Sequence, residues 1–248
     1  GPYAARAPLA EARPGDVIQL AFVENRFTHT CLVVQAPDPP DVGGILVALQ
    51  EEVRRFQRRL AAGGYGERDL SAIARFCEEK LHVGFPADFA RRPSADRAAF
   101  LQSKLARPLR VCGMVRNEGE PGGGPFWVLG DDGAPSPQIV EAFQVDADSD
   151  VQKARWAAAT HFNPVDLVCG VRDASGNPYD LTRFVDRRTA CITEKSEKGR
   201  DLKALELPGL WNGAMAFWNT VFIEVPIETF NPVKTVTDLL RPRHRRVP

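Results

Sequence analysis

The chain carries no net charge, because Lys plus Arg and Asp plus Glu both number 32. That balance removes the electrostatic footprint of a nucleic-acid binder or of a protein held on an acidic membrane, so neither partner is expected. No apolar run is long enough to cross a bilayer, and the start lacks a signal-peptide pattern. There is no Cys-x-x-Cys pair and no zinc-type Cys–His spacing. The five cysteines (Cys31, Cys77, Cys112, Cys169 and Cys191) are odd in number and scattered. Cys112 and Cys169 lie in valine-containing runs, where cysteine behaves as a small core hydrophobe. A reduced, cytoplasmic protein is the expectation. Also missing are Gly-x-Ser-x-Gly, His-Glu-x-x-His and Gly-x-Gly-x-x-Gly. The segment Thr193–Arg200 resembles a phosphate loop only superficially, lacks the Walker spacing, and reads as a solvated turn.

What is present suits one large domain or two small ones, with ample material for a core. Apolar residues recur at helical spacing from Ile45 through Leu49, Val53, Phe56 and Leu60, and Gly63-Gly64 closes that helix. A second helix is expected over Asp69–Leu81. A third starts with Ser94 as its N-cap and ends near Leu105. Past Arg107-Pro108 the pattern turns strand-like: Leu109–Val115, Phe126–Leu129, Ile139–Val145, Leu167–Val171 and Thr220–Val225. A short helix at Val151–Ala159 intervenes, and Thr235–Leu240 reads as a last helical turn or two. Helices followed by mixed strands indicate an α/β or α+β architecture. Val17–Val23 and Leu32–Val34 are further strand candidates before the break at Pro37-Asp-Pro-Pro40. The basic stretch 243–248 reads as a solvated tail. The start at Gly1-Pro2, with only Met114 and Met215 in the chain, suggests a cleaved tag or a piece of a longer protein.

The most informative stretch follows Val115. Arg116, Asn117, Glu118 and Glu120 lead into Gly122-Gly123-Gly124, and a new apolar run starts at Phe126. Glycines lacking Cβ allow positive φ and close backbone approach, so this loop either presents polar groups to a ligand or is a long hairpin turn. Thr160–Asp166 adds His161 and Asn163 as candidate contacts for substrate hydroxyls at a strand entrance. Asp166 is a candidate oxygen ligand for Mg²⁺, which takes carboxylates together with waters and phosphates. An Asn-Pro turn with a satisfied histidine is the alternative. Asn212 and Asn231 stand at the edges of apolar runs, where an amide suits sugar or nucleobase recognition as well as tight turns. Lys234 is a candidate phosphate contact. The chemistry easiest to accommodate is metal-assisted phosphoryl or nucleotidyl transfer, which needs positioning donors rather than a special nucleophile.

Four strings carry a family resemblance: Arg107–Trp127, Thr160–Asp173, Lys203–Met215 and Trp218–Val225 with Pro226. Glu228–Pro242 completes them. Over about Ile45 to Pro242 the chain resembles an uncharacterised bacterial family, domain of unknown function 4301. Members of that family look like longer proteins whose N-terminal half is similar to nucleotide-sugar pyrophosphorylases. The resemblance implies a nucleotidyltransferase-like α/β fold of the nucleotide-diphospho-sugar transferase type: a mixed sheet with flanking helices, of which this chain holds only the C-terminal part. It also implies a Mg²⁺-dependent reaction joining a nucleoside triphosphate to a sugar phosphate. The family's nucleotide loop has no counterpart here, and residues 1–43 match the pattern poorly. Residues 44–242 are therefore expected to form the substrate-side portion, partnered by a missing N-terminal half and exposing apolar surface where that half packs. A non-catalytic nucleotide- or sugar-binding regulatory module is the second reading.

Overall fold

The computed structural model describes residues 18–21 as backbone, and residues 42–119, 122–233 and 235–244 more fully. The helical half follows the apolar spacing. α1 (Val42–Ala61) buries Leu46, Phe56 and Leu60. It ends as Gly63 and Gly64 turn left-handed, at φ 68° and 60°. The Arg59 guanidinium reaches over that end, with Nε 3.0 Å and Nη2 2.7 Å from the two carboxylate oxygens of Asp69. Its Nη1 donates to the Gly63 carbonyl at 3.0 Å. One side chain thereby ties the end of α1 to the first turn of α2 (Glu67–Leu81). α3 (Ser94–Leu105) begins one residue earlier than the capping expectation: Pro93 is the N-cap and Ser94 is already helical. The Ser94 hydroxyl is used elsewhere, donating to Glu67 Oε1 at 2.9 Å.

The strands form one four-stranded mixed sheet and two separate hairpins. In the sheet the order is β1 (Ile18–Ala21), β5 (Asp166–Gly170), β2 (Leu109–Met114), β8 (Asn219–Glu224). β5 runs antiparallel to both β1 and β2, and β8 runs parallel to β2. The strand expected near Val17–Val23 is β1; the rest of that segment and Leu32–Val34 lie outside the described residues. Alternation along the strands sorts the two faces. Leu109, Val111, Val168 and Val221 meet Leu46, Ile73, Leu101 and Leu105 of the helices. Cys112, Met114, Leu167 and Cys169 point the other way, toward Ile139 and Trp218. Cys112 and Cys169 are buried free thiols, as core hydrophobes should be.

Arg110 lies on that second face and is 2% exposed. Its Nε donates to Thr220 Oγ1 at 2.8 Å and its Nη1 to Met215 Sδ at 3.3 Å.

β3 (Gly124–Leu129) pairs with β4 (Pro135–Val140), and β6 (Cys191–Glu197) with β7 (Arg200–Glu206). The first pairing corrects the hairpin-loop reading of the glycine segment, since β2 and β3 belong to different sheets and the segment crosses between them. β4 starts earlier than the apolar run at Ile139 suggested. Pro135 and Pro137 alternate along it, as a strand with a free edge permits. The β6–β7 hairpin was not expected, because its charged residues hide the strand signal. It turns at Lys198 and Gly199, with φ 52° and 76°, the positive pair that a two-residue hairpin turn requires. Ile192 and Leu205 face each other across it and are 69% and 70% exposed. α4 (Asp150–Ala157) is capped by Ser149, whose side chain accepts from the Gln152 amide. Residues 236–240 form a short 3₁₀ helix. No helix among the described residues is long and apolar enough to cross a membrane.

A candidate site beneath the glycine loop

Past Met114 the chain stays in register with both neighbours. The Val225 amide donates to the Met114 carbonyl at 2.8 Å, and the Phe162 amide to the Val115 carbonyl at 3.0 Å. Arg116 and His161 then face each other across an antiparallel bridge. The Asn117 side chain accepts from the Gly119 amide at 2.7 Å and turns the chain away from the sheet.

Gly122, Gly123 and Gly124 follow, and the reason for glycine is crowding more than dihedral freedom. A Cβ on Gly122 would lie 2.6 Å from the Phe162 ring. On Gly123 it would strike the Val140 carbonyl and lie 2.7 Å from Asn163 Oδ1, and on Gly124 it would lie 2.8 Å from the His161 carbonyl. The 160–163 segment and β4 press on the loop from two sides, so only backbone fits between them.

The loop walls a cleft of about 390 Å³, closed elsewhere by Asn117, Phe126, Trp156 and His161. Phe126 and Trp156 stack with ring centroids 5.3 Å apart and planes 9° from parallel. β3 supplies the first ring and α4 the second.

Two carboxylates flank these groups in contrasting states. Glu224, at the end of β8, accepts from Arg116 Nε and Nη2, both at 3.2 Å. His161 Nε2 lies 3.2 Å from its Oε2, and His161 Nδ1 lies 2.9 Å from Thr160 Oγ1. This geometry suits a Thr160 hydroxyl donating to Nδ1 and an Nε2–H donating to Glu224. The His161 hydrogen bond, with Arg116 beside it, holds the Glu224 carboxyl below the usual carboxylate range. Glu141 is pushed the opposite way by burial, against the hydrogen bond from Asn163 Nδ2 at 3.1 Å. The other end of that amide, Oδ1, is buried and has no hydrogen-bond partner among the described residues.

Of the residues singled out from the sequence, Arg116, Gly122, Gly123, Gly124, His161 and Asn163 thus converge. Glu118 is exposed on the loop. Asn212 staples a turn, its Oδ1 accepting from the Gly209 amide at 3.0 Å. Asn231 Nδ2 lies 3.3 Å from His244 Nδ1. Neither asparagine lines the cleft. Glu120 and Lys234 lie outside the described residues. Asp166 opens β5 opposite Gly113 and is not part of the cleft wall. Among the described residues no three His, Cys, Asp or Glu side chains gather as a metal site. Sequence reasoning missed Glu141, Glu224 and Thr160 as site residues, and read Phe126 and Trp156 only as strand and helix positions. A carboxylate ending an apolar strand, as Glu224 does, was the available signal.

Fold and cleft together define a mixed α/β protein with a small-molecule-sized cleft where the central sheet passes its chain to a hairpin. The chain belongs to the family described as Domain of unknown function (DUF4301), whose model matches residues 14–245. No curated protein matches it. Among solved structures it is similar to a point mutant of UDP-glucose pyrophosphorylase from Leishmania major in complex with UDP-glucose. The identity is 18% and the TM-score 0.31, over 60% of this chain and 33% of that one. The chain therefore spans about a third of the length of that enzyme.

Proposed function

We propose that the cleft beneath Gly122–Gly124 binds the sugar part of a sugar phosphate or nucleotide sugar, in the substrate-side portion of a nucleotidyltransferase-like enzyme. The observation that carries this reading is the stacked Phe126–Trp156 ring pair in the cleft wall, with the Asn163 amide packed directly behind Gly123 as a second support. One end of that amide is committed to Glu141 and the other is a buried acceptor without a donor among the described residues, 2.7 Å from where a Gly123 Cβ would stand. A buried acceptor left unpaired is costly, and a ligand hydroxyl is a donor of the right size to answer it. Glu141 adds a carboxylate acceptor beside Asn163, and Glu224 adds one beside His161 of the cleft wall. Phe126 and Trp156 present apolar ring surface of the kind that packs on the C–H faces of a sugar. Nucleotidyl transfer rests on the family resemblance of the four strings and not on this geometry. The exposed Ile192, Leu205 and Leu207 are the surface that a further part of such an enzyme would cover.

The test is calorimetric titration with a panel of hexose 1-phosphates, in wild type and in Asn163→Ala and Trp156→Ala. Binding by at least one sugar phosphate, weakened roughly tenfold by loss of a buried polar contact, is expected. No heat with any panel member, or equal affinity in wild type and both variants, overturns the assignment. Turnover is tested separately, by pyrophosphate release from nucleoside triphosphates with Mg²⁺ and the sugar phosphate that binds.

A further inference from the structure

A second cavity, of about 310 Å³, lies between the β3–β4 hairpin, the end of α3 and the segment leading into β8. It shares no lining residue with the cleft beneath the glycine loop. Trp218 forms part of its wall, is 5% exposed, and carries an indole Nε1–H with no hydrogen-bond partner among the described residues. An indole N–H only donates, so it calls for an acceptor.

The charges on the wall have a definite arrangement. Each carboxylate is engaged by a base: Asp132 by Lys104 at 2.9 Å, Asp131 by Arg188 at 2.6 Å and Asp186 by Arg188 at 2.8 Å. Among the described residues two guanidinium groups, those of Arg107 and Arg110, make no hydrogen bond to a carboxylate, although the Asp132 charge acts on Arg107 from nearby. Arg107 lines the cavity and donates Nε to the Ser103 carbonyl at 3.2 Å. Arg110 lies behind the wall and donates to Thr220 Oγ1 at 2.8 Å, and Thr220 itself lines the cavity. Because that hydroxyl oxygen already accepts from a cation, its own proton is available to a ligand acceptor. N–H and O–H donors that no carboxylate accepts from thus share the polar wall, while Val83, Ile139 and Phe217 supply apolar wall.

We propose that this cavity is a binding site for a small organic anion, with its oxyanion toward Trp218 Nε1, Thr220 and Arg107 and its apolar body between Val83 and Ile139. The oxyanion accepts the indole and hydroxyl protons, and Arg110 acts on it through Thr220. The apolar body distinguishes the ligand from free inorganic anions.

The probe is phenyl phosphate, with benzyl alcohol as its neutral counterpart, titrated into the full chain while indole N–H resonances are followed by ¹H–¹⁵N NMR. Trp218→Phe identifies the Trp218 signal by its disappearance and keeps an aromatic ring in place. Phenyl phosphate is expected to move the Trp218 indole signal saturably, and benzyl alcohol to leave it in place. In Arg107→Gln, which retains the indole reporter, the midpoint should rise at least fivefold. Calorimetry on Trp218→Phe should show a similar weakening. The proposal is overturned if the Trp218 indole signal does not respond to phenyl phosphate, responds equally to benzyl alcohol, or titrates with an unchanged midpoint in Arg107→Gln. Binding confined to the glycine-loop cleft would leave both the Trp218 signal and the Trp218→Phe affinity unaffected, so this result is separable from the fate of the sugar-site reading.

Discussion

Asn163 gives its amide nitrogen to Glu141 at 3.1 Å while its amide oxygen, buried, lies where Gly123 leaves no room for a side chain. The contact joins the segment before β5 to the end of β4, and it makes the glycine loop a structural element before it is anything else. Gly123→Ala should therefore destabilise the fold by about 1–3 kcal/mol, the usual cost of forcing atoms into filled space. Gly66→Ala is the comparison: a Cβ there meets nothing within 4 Å, so its cost is limited to that of replacing the glycine N-cap of α2, about 0.5–1 kcal/mol. Urea unfolding of the two variants checks this; equal midpoints would show that the loop has slack.

Glu141 links the site to pH. Burial raises its folded-state pKa above the ordinary value of 4.5, so the folded chain holds this proton more tightly than the unfolded chain does. The contribution of Glu141 to stability is then complete below that ordinary value and is lost as pH rises through the raised one. Glu141→Gln keeps an acceptor for Asn163 and removes the titration. The stability of the variant relative to wild type should climb as pH goes from 4 toward 7, as measured by denaturant unfolding at several pH values. A pH-independent difference would mean that Glu141 is not desolvated.

Arg110 and Thr220 form a buried pair in which the hydroxyl is the only oxygen acceptor of the guanidinium among the described residues. Thr220→Val preserves shape and leaves Arg110 Nε unanswered, with an expected loss of about 1.5–3 kcal/mol for a hydrogen bond to a charged group. Arg110→Met removes the charge altogether and should cost less than that, because a buried ion replaced by an apolar chain loses its desolvation penalty as well. Adding Thr220→Val to Arg110→Met should then change little. A double-mutant cycle by urea denaturation supplies the coupling; additive losses would deny the pair its role.

The thiols divide by environment. Burial pushes Cys77 up to about 12 and Cys112 up to about 11, and raises Cys169 further still. Cys191 is only partly buried, at the first position of the projecting β6–β7 hairpin. Brief treatment of the native protein with N-ethylmaleimide, followed by peptide mass spectrometry, should modify Cys191 and spare Cys77, Cys112 and Cys169 until denaturant is added. Native labelling of Cys112 or Cys169 would show that the sheet face opens.

Apolar periodicity alone determined the three helices packed on the sheet and the position of nearly every strand in it. Burying Leu46, Ile73 or Leu101 on one face is a local demand that spacing displays directly. The β6–β7 hairpin escaped notice because its pairing depends on backbone hydrogen bonds and a Lys198-Gly199 turn, with its apolar side chains left in water. Partnerships across the chain were beyond local pattern altogether. The glycines announced close approach, but only the tertiary structure decided that Asn163, His161 and Val140 are what approach. Likewise, nothing near Trp218 in sequence marks its indole as unanswered: that depends on Arg110 turning to Thr220 and on each acidic side chain finding its base. Periodicity records what a residue requires of solvent, whereas a site depends on which distant residues the packing brings to meet it.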